Sequence, residues 1–193
     1  MIEDILRSFS TYLSFPHNLK KEKITKKQKN LINKIYFLTK KESFSNKNKL
    51  KTHSNFSRNV NDLILKKKLK DFLKLSFIQK MFFVHNRIHI VLLLIKLLLC
   101  KNKIFWKRLM TENSVGGPIP FFCYRFSSGN RIRQVYHLKK FNDNTSVNLR
   151  KIKNVIEIGG GYGCMASIFS KINKNINYFI FDTKEVCMLQ YYY

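Results

Sequence analysis

The chain has 193 residues, enough for one ordinary domain with an extension but too few for two large domains. Hydrophobic residues make up 45% and aromatics 14%, a balance that excludes an intrinsically disordered chain. A formal net charge of +26 draws attention to anionic partners: nucleic acid, anionic lipid or anionic glycan.

That charge is concentrated early. Residues 1–115 hold 26 Lys and Arg against 7 Asp and Glu, whereas residues 151–193 hold 5 against 3. A low-GC coding sequence, rich in Lys, Asn, Ile and Phe together, gives the same excess, so charge alone selects no partner. The basic residues also lack an interleaved aromatic platform and any nucleic-acid-binding motif, which makes nucleic acid an unfavoured partner. Cys100, Cys123, Cys164 and Cys187 are far apart, with no C-x-x-C pair, so neither a zinc site nor a disulfide framework is expected.

The opening stretch MIEDILRSFSTYLSF carries Glu3 and Asp4 where a cleaved signal peptide has Lys or Arg. The expectation is a cytoplasmic protein, with room for peripheral contact at the inner membrane face. Residues 1–60 read as a basic, partly flexible extension, with a helix around 26–40 and a solvated stretch from 41 to 60. At Asn61 or Asp62, either a plausible cap, a helical stripe begins: Leu65, Leu69, Phe72, Leu73, Phe77, Met81, Val84 and Ile88. It merges into IVLLLIKLLLC (90–100), which has about half the ~20 apolar residues of a membrane span and contains Lys96. A buried core helix or hairpin is expected there, with a peripheral membrane helix as the alternative. Residues 61–150 thus form a helical lead-in region. It includes the loop NSVGGPIPFFCYRFSSGN (113–130) and a helix through RIRQVYHLKKF (131–141), with Ile132, Val135 and Tyr136 on one face.

From residue 151 the character changes. All seven glycines lie between Gly116 and Gly163. KNVIEI (153–158) reads as a buried parallel strand, GGGYG (159–163) as a tight turn, and CMASIFSKI (164–172) as a helix with Met165, Ile168, Phe169 and Ile172 on one face. NYFIFD (177–182) is a second buried strand ending in Asp182. The order strand, glycine turn, helix, strand, acid describes one βαβ unit. A P-loop is excluded because no Lys–Ser/Thr pair follows Gly163 at the required place. The dinucleotide pattern fails on its third glycine, where Cys164 stands. The pattern that fits is E-x-G-x-G-x-G, running through Glu157, Gly159, Gly161 and Gly163.

This pattern is the signature of class I S-adenosylmethionine (SAM) methyltransferases. VIEIGGGYGCMASIF with FIFDTKEVCMLQYYY further resembles the bacterial sugar O-methyltransferase family. The likeness covers roughly residues 85–193 and is specific over 155–193. It implies an α/β protein: a helical N-terminal region followed by the first βαβ unit of a Rossmann-like SAM methyltransferase fold, truncated, with 151–193 as the start of the cofactor domain. It further implies SAM as cofactor, with Gly159, Gly161, Gly163 and Asp182 as contacts. Glu157 would position the loop and the methionine ammonium, directly or through water. A sugar or glycan hydroxyl is the implied acceptor, with Mg2+ as a further cofactor in a longer parent. No metal ligand and no catalytic base is assignable within the chain; His137 is the nearest candidate base. Tyr162 is a candidate for cofactor contact or for packing, and Arg125, Arg131 and Arg133 are candidates for meeting an anionic glycan. The competing readings are a basic protein that binds nucleic acid or anionic membrane and keeps a vestigial loop, and an NAD-dependent oxidoreductase.

Overall fold

The computed structural model describes residues 25–43, 54–83 and 87–193. The expectations placed on the opening stretch, on residues 44–53 of the solvated stretch and on Val84 lie outside these residues. The described chain is helix-rich and carries a small two-stranded parallel sheet, a mixed α/β architecture.

The first helix among the described residues, α1 (Lys26–Ser43), starts where the sequence supplies a reciprocal cap. The Thr25 hydroxyl accepts from the Gln28 amide at 3.2 Å, and the Gln28 side chain accepts from the Thr25 amide at 2.8 Å. Ile32, Ile35 and Thr39, spaced three and four apart, form its buried face. Next comes α2 (Ser54–Leu65), so helix occupies the end of the stretch expected to be solvated, and Asn61 and Asp62 lie inside it rather than capping it.

The expected stripe from Leu65 to Ile88 is not one helix. Lys67 adopts a left-handed backbone, with φ of 54°, while its ammonium donates to Asn33 and lies over the Tyr36 ring. A 3-10 segment (Leu69–Lys74), kinked at Asp71, then leads to α3 (Ser76–Phe82). These breaks rotate the chain, so Leu69, Phe72 and Leu73 are buried while Leu65, Met81 and Ile88 are exposed. The apolar run forms α4 (Arg87–Leu99), which buries Ile90, Leu93, Leu94 and Leu97 but leaves Leu92, Ile95 and Leu99 in water. Among the described residues no single helix is long and apolar enough to cross a membrane.

After α5 (Lys103–Met110), the Pro/Gly segment forms a loop with one antiparallel bridge between Phe121 and Tyr124. Ser128 then caps α6 (Gly129–Asn144) by accepting from the Arg131 amide. A short 3-10 turn (Leu149–Lys151) leads into β1 (Asn154–Ile158), α7 (Cys164–Ile172), β2 (Asn177–Phe181) and α8 (Lys184–Tyr192). The strands run parallel in register from Asn154 opposite Asn177 to Ile158 opposite Phe181.

Helices α5 and α6 pack on α7, while α1 and α2 pack on α8. One apolar cluster therefore runs from Ile32 to Tyr192 without a break between the helical region and the βαβ unit. Leu189 and Tyr192 of α8 find cover on the N-terminal helices, Tyr192 meeting Phe72 edge to face.

The sheet itself departs from the expected pair of fully buried strands. Val155, Glu157, Tyr178 and Ile180 face the helices and are half-buried, but Ile156 and Ile158 are 70% and 86% exposed, and Phe179 and Phe181 are also open. Helices cover one face only, so the period-2 alternation of a strand puts every second apolar residue in water. Replacing Ile168, fully buried on α7, by Ala is expected to cost about 2–5 kcal/mol in urea unfolding. Ile158→Ala on the open face should stay within about 0.5 kcal/mol. A large loss at Ile158 would show that this face is covered in solution.

Candidate functional site

The turn between β1 and α7 has the shape its glycines permit. Gly159, Gly161 and Gly163 all have positive φ (73°, 57° and 92°), a region that costs a side-chain-bearing residue energy. Gly159 keeps the turn attached to the sheet by donating to the Phe181 carbonyl at 2.9 Å. Gly163 donates back to the Gly160 carbonyl and is the left-handed residue that opens α7. Gly160 is required by contact instead: a Cβ there would come within 2.6 Å of the Ile180 side chain and 3.0 Å of a Glu157 carboxylate oxygen. A Cβ on Gly159, by contrast, would meet nothing within 4 Å, so the backbone at this point borders open space.

That space belongs to a cleft of about 210 Å3. Its floor is Glu157 and the backbone of Gly159 to Gly161, and α7 adds Met165. Met81 and Phe82 of α3 form an apolar wall, and Arg133 and Gln134 of α6 form a polar one. Of the expected contacts, Glu157, Gly159 and Gly161 meet here, while Gly163 sits behind them as the start of α7. Asp182 follows β2 and is tied to the same loop through Gln190. One Gln190 amide nitrogen donates both to an Asp182 carboxylate oxygen at 3.0 Å and to the Gly161 carbonyl at 2.9 Å. The other Asp182 oxygen accepts from the Thr183 amide.

Electrostatically the cleft is a mixed site. Burial pushes the Glu157 carboxyl above its ordinary value; the Tyr178 hydroxyl, donating at 2.9 Å, pulls it back, and the Asp182 charge raises it again. Burial pushes the Cys164 thiol up to about 12, so at neutral pH it is no thiolate nucleophile. Tyr162 borders the cleft but is only 1% exposed; its ring stacks on Phe83 and its hydroxyl accepts from the Asn130 amide at 2.9 Å, so the side chain is held by packing. His137 is exposed and does not line the cleft; partial desolvation where its ring meets the protein, then the charges of Arg133 and His89, lower its pKa. Arg131, fully buried, is not available to a glycan, whereas Arg125 is exposed. No cluster of three or more His, Cys, Asp or Glu among the described residues is arranged to hold a metal ion.

Sequence reasoning singled out Arg133, as a candidate for a glycan, but missed the rest of the two cleft walls. The signal for the polar one was present: Asn130, Arg133 and Gln134 are spaced three and one apart on a helix whose other face, through Ile132 and Val135, is apolar. Nothing local marks Met81 and Phe82 as cleft residues, because only the break before α3 turns them toward the glycine loop. The arrangement suits a small polar ligand held at its charged end, more than a nucleophilic reaction.

No family model, no curated protein and no solved structure matches this chain.

The raised Glu157 pKa gives a test of its burial. The folded state favours the protonated acid, so this group's contribution to stability is greatest at low pH and declines as pH climbs from the ordinary 4.5 through the raised value. Glu157→Gln, which keeps an acceptor for Tyr178, should raise the thermal midpoint relative to wild type at pH 7 and lose that advantage at pH 4. An equal difference at both pH values would show that Glu157 is solvated.

Proposed function

We propose that this chain is the cofactor-binding part of a SAM-dependent O-methyltransferase acting on a hydroxyl of a sugar or glycan. The observation that carries the reading is the convergence of Glu157, Gly159 and Gly161 on one cleft, with Asp182 linked to the same loop through Gln190. On this reading β1, α7 and β2 are the opening unit of a Rossmann-like sheet, and the uncovered face of Ile156, Ile158, Phe179 and Phe181 is where further layers of such a fold would pack.

SAM, when bound, supplies an electrophilic methyl group. The chain's own residues bind and orient. The open backbone at Gly159 lets the cofactor approach without Cβ obstruction, and Glu157 accepts from the methionine ammonium. Asp182 accepts from the ribose hydroxyls, in place of the Gln190 amide that occupies one of its oxygens here. Met81 and Phe82 exclude water from one side of the cleft.

The described contacts reach only the amino-acid and ribose portions, so affinity should be weak, with a dissociation constant on the order of 1 mM. Ligand-observed NMR with S-adenosylhomocysteine is the direct test, and Asp182→Ala should weaken the signal by about tenfold. NAD should not displace the ligand; displacement by NAD, or no signal at all, would overturn the reading.

A further inference from the structure

We infer that Arg133 is the anchor for the α-carboxylate of the cofactor's amino-acid tail, acting across the cleft from Glu157, which takes the α-ammonium; this rests on the SAM reading above. Arg133 is on α6, outside the glycine loop and its strand, and nothing in the loop pattern points to it.

Three observations carry the assignment. The first is placement: Arg133 and Glu157 line the same cleft, and no ion pair joins them among the described residues. A guanidinium and a carboxylate that share a cavity without neutralising each other offer complementary charges to a zwitterion. The second is the state of the guanidinium. One nitrogen donates to the Asn130 side-chain oxygen at 3.2 Å, while Nε is buried with no acceptor. A buried donor left unmade costs about 1–3 kcal/mol, so the side chain gains by any shift that finds Nε an acceptor, and a carboxylate entering the cleft would meet the terminal nitrogens first. Asn130 is itself held, donating to the Tyr162 hydroxyl at 2.9 Å. The chain from Tyr162 through Asn130 to Arg133 therefore presets the planar fork that suits a carboxylate.

The third observation is size. About 210 Å3 is below the ~300–1,000 Å3 of sites that enclose a drug-sized ligand, so the cleft holds an amino-acid tail, with the nucleoside lying outside it toward Asp182.

The experiment compares two ligands on two proteins by ligand-observed NMR: S-adenosylhomocysteine, and its decarboxylated counterpart, which keeps the amine. On the wild-type chain the decarboxylated ligand should bind about tenfold more weakly. Arg133→Gln should weaken S-adenosylhomocysteine by about tenfold while changing the decarboxylated ligand less than about twofold, the non-additivity of a direct contact. Arg133→Lys, which keeps the charge but not the fork, should recover part of the loss. Equal weakening of both ligands by Arg133→Gln would overturn the assignment and leave the SAM reading standing. If Arg133→Gln does not fold, equal affinity of the two ligands for the wild-type chain overturns it instead. Binding of neither ligand to the wild-type chain removes the SAM reading and this assignment together.

Discussion

A guanidinium with no access to water joins the helical region to the sheet unit. Arg131 is 0% exposed; its Nε donates to the Leu109 carbonyl at 2.8 Å and a terminal nitrogen donates to the Ser167 hydroxyl at 3.2 Å. Removing a full charge from water is expensive, and only well-placed acceptors make it tolerable. Those acceptors belong to α5 and α7, so the arginine on α6 ties three helices together through two of its nitrogens, while the other terminal nitrogen is buried with no acceptor. Neighbouring polar contacts reinforce it: the Lys171 ammonium donates to the Thr111 carbonyl, and Glu112 accepts from the Ser128 amide at 2.7 Å and from the Tyr193 hydroxyl at 3.3 Å.

The rotation of α6 follows from this. With Arg131 pointing inward between α5 and α7, Asn130, Arg133 and Gln134 border the glycine turn. The cleft is thus set by two independent devices. Glycine conformations shape its floor, where any side chain at Gly160 would strike Ile180. The buried arginine positions its polar wall. Gln190 adds a third tie, holding the end of β2 to the turn through a single amide group.

The βαβ order is legible in the sequence because it depends on short-range features: apolar runs, a glycine cluster and a 3.6-residue stripe that are all contiguous. The apolar face of α6 through Ile132 and Val135 is legible for the same reason, whereas its cap at Ser128 appears only in the structure. What escapes is set by tertiary packing. The stripe from Leu65 to Ile88 looks continuous, yet Lys67 leaves the helical region of backbone space because its side chain finds Asn33 and Tyr36 on another helix. Helix α5, with Trp106, Leu109 and Met110 at helical spacing, attracts no notice between two stronger signals, although it supplies the acceptor for Arg131. Arg131 itself reads as a surface residue, since a buried charge is rare and its partners are 22 and 36 positions away.

The open face of the sheet has a consequence for how the molecule behaves in company. Ile156 and Ile158 lie opposite Phe179 and Phe181, so four large apolar groups form a patch, and strand edges of this kind invite pairing with other chains. The counterweight is long-range: a net charge of +26 makes two copies repel before their patches meet. That repulsion reaches about 30 Å at 0.01 M salt but only about 8 Å at physiological ionic strength. The colloidal stability of this chain is therefore governed by the ions around it, and adding salt brings its sticky face within reach of its neighbours.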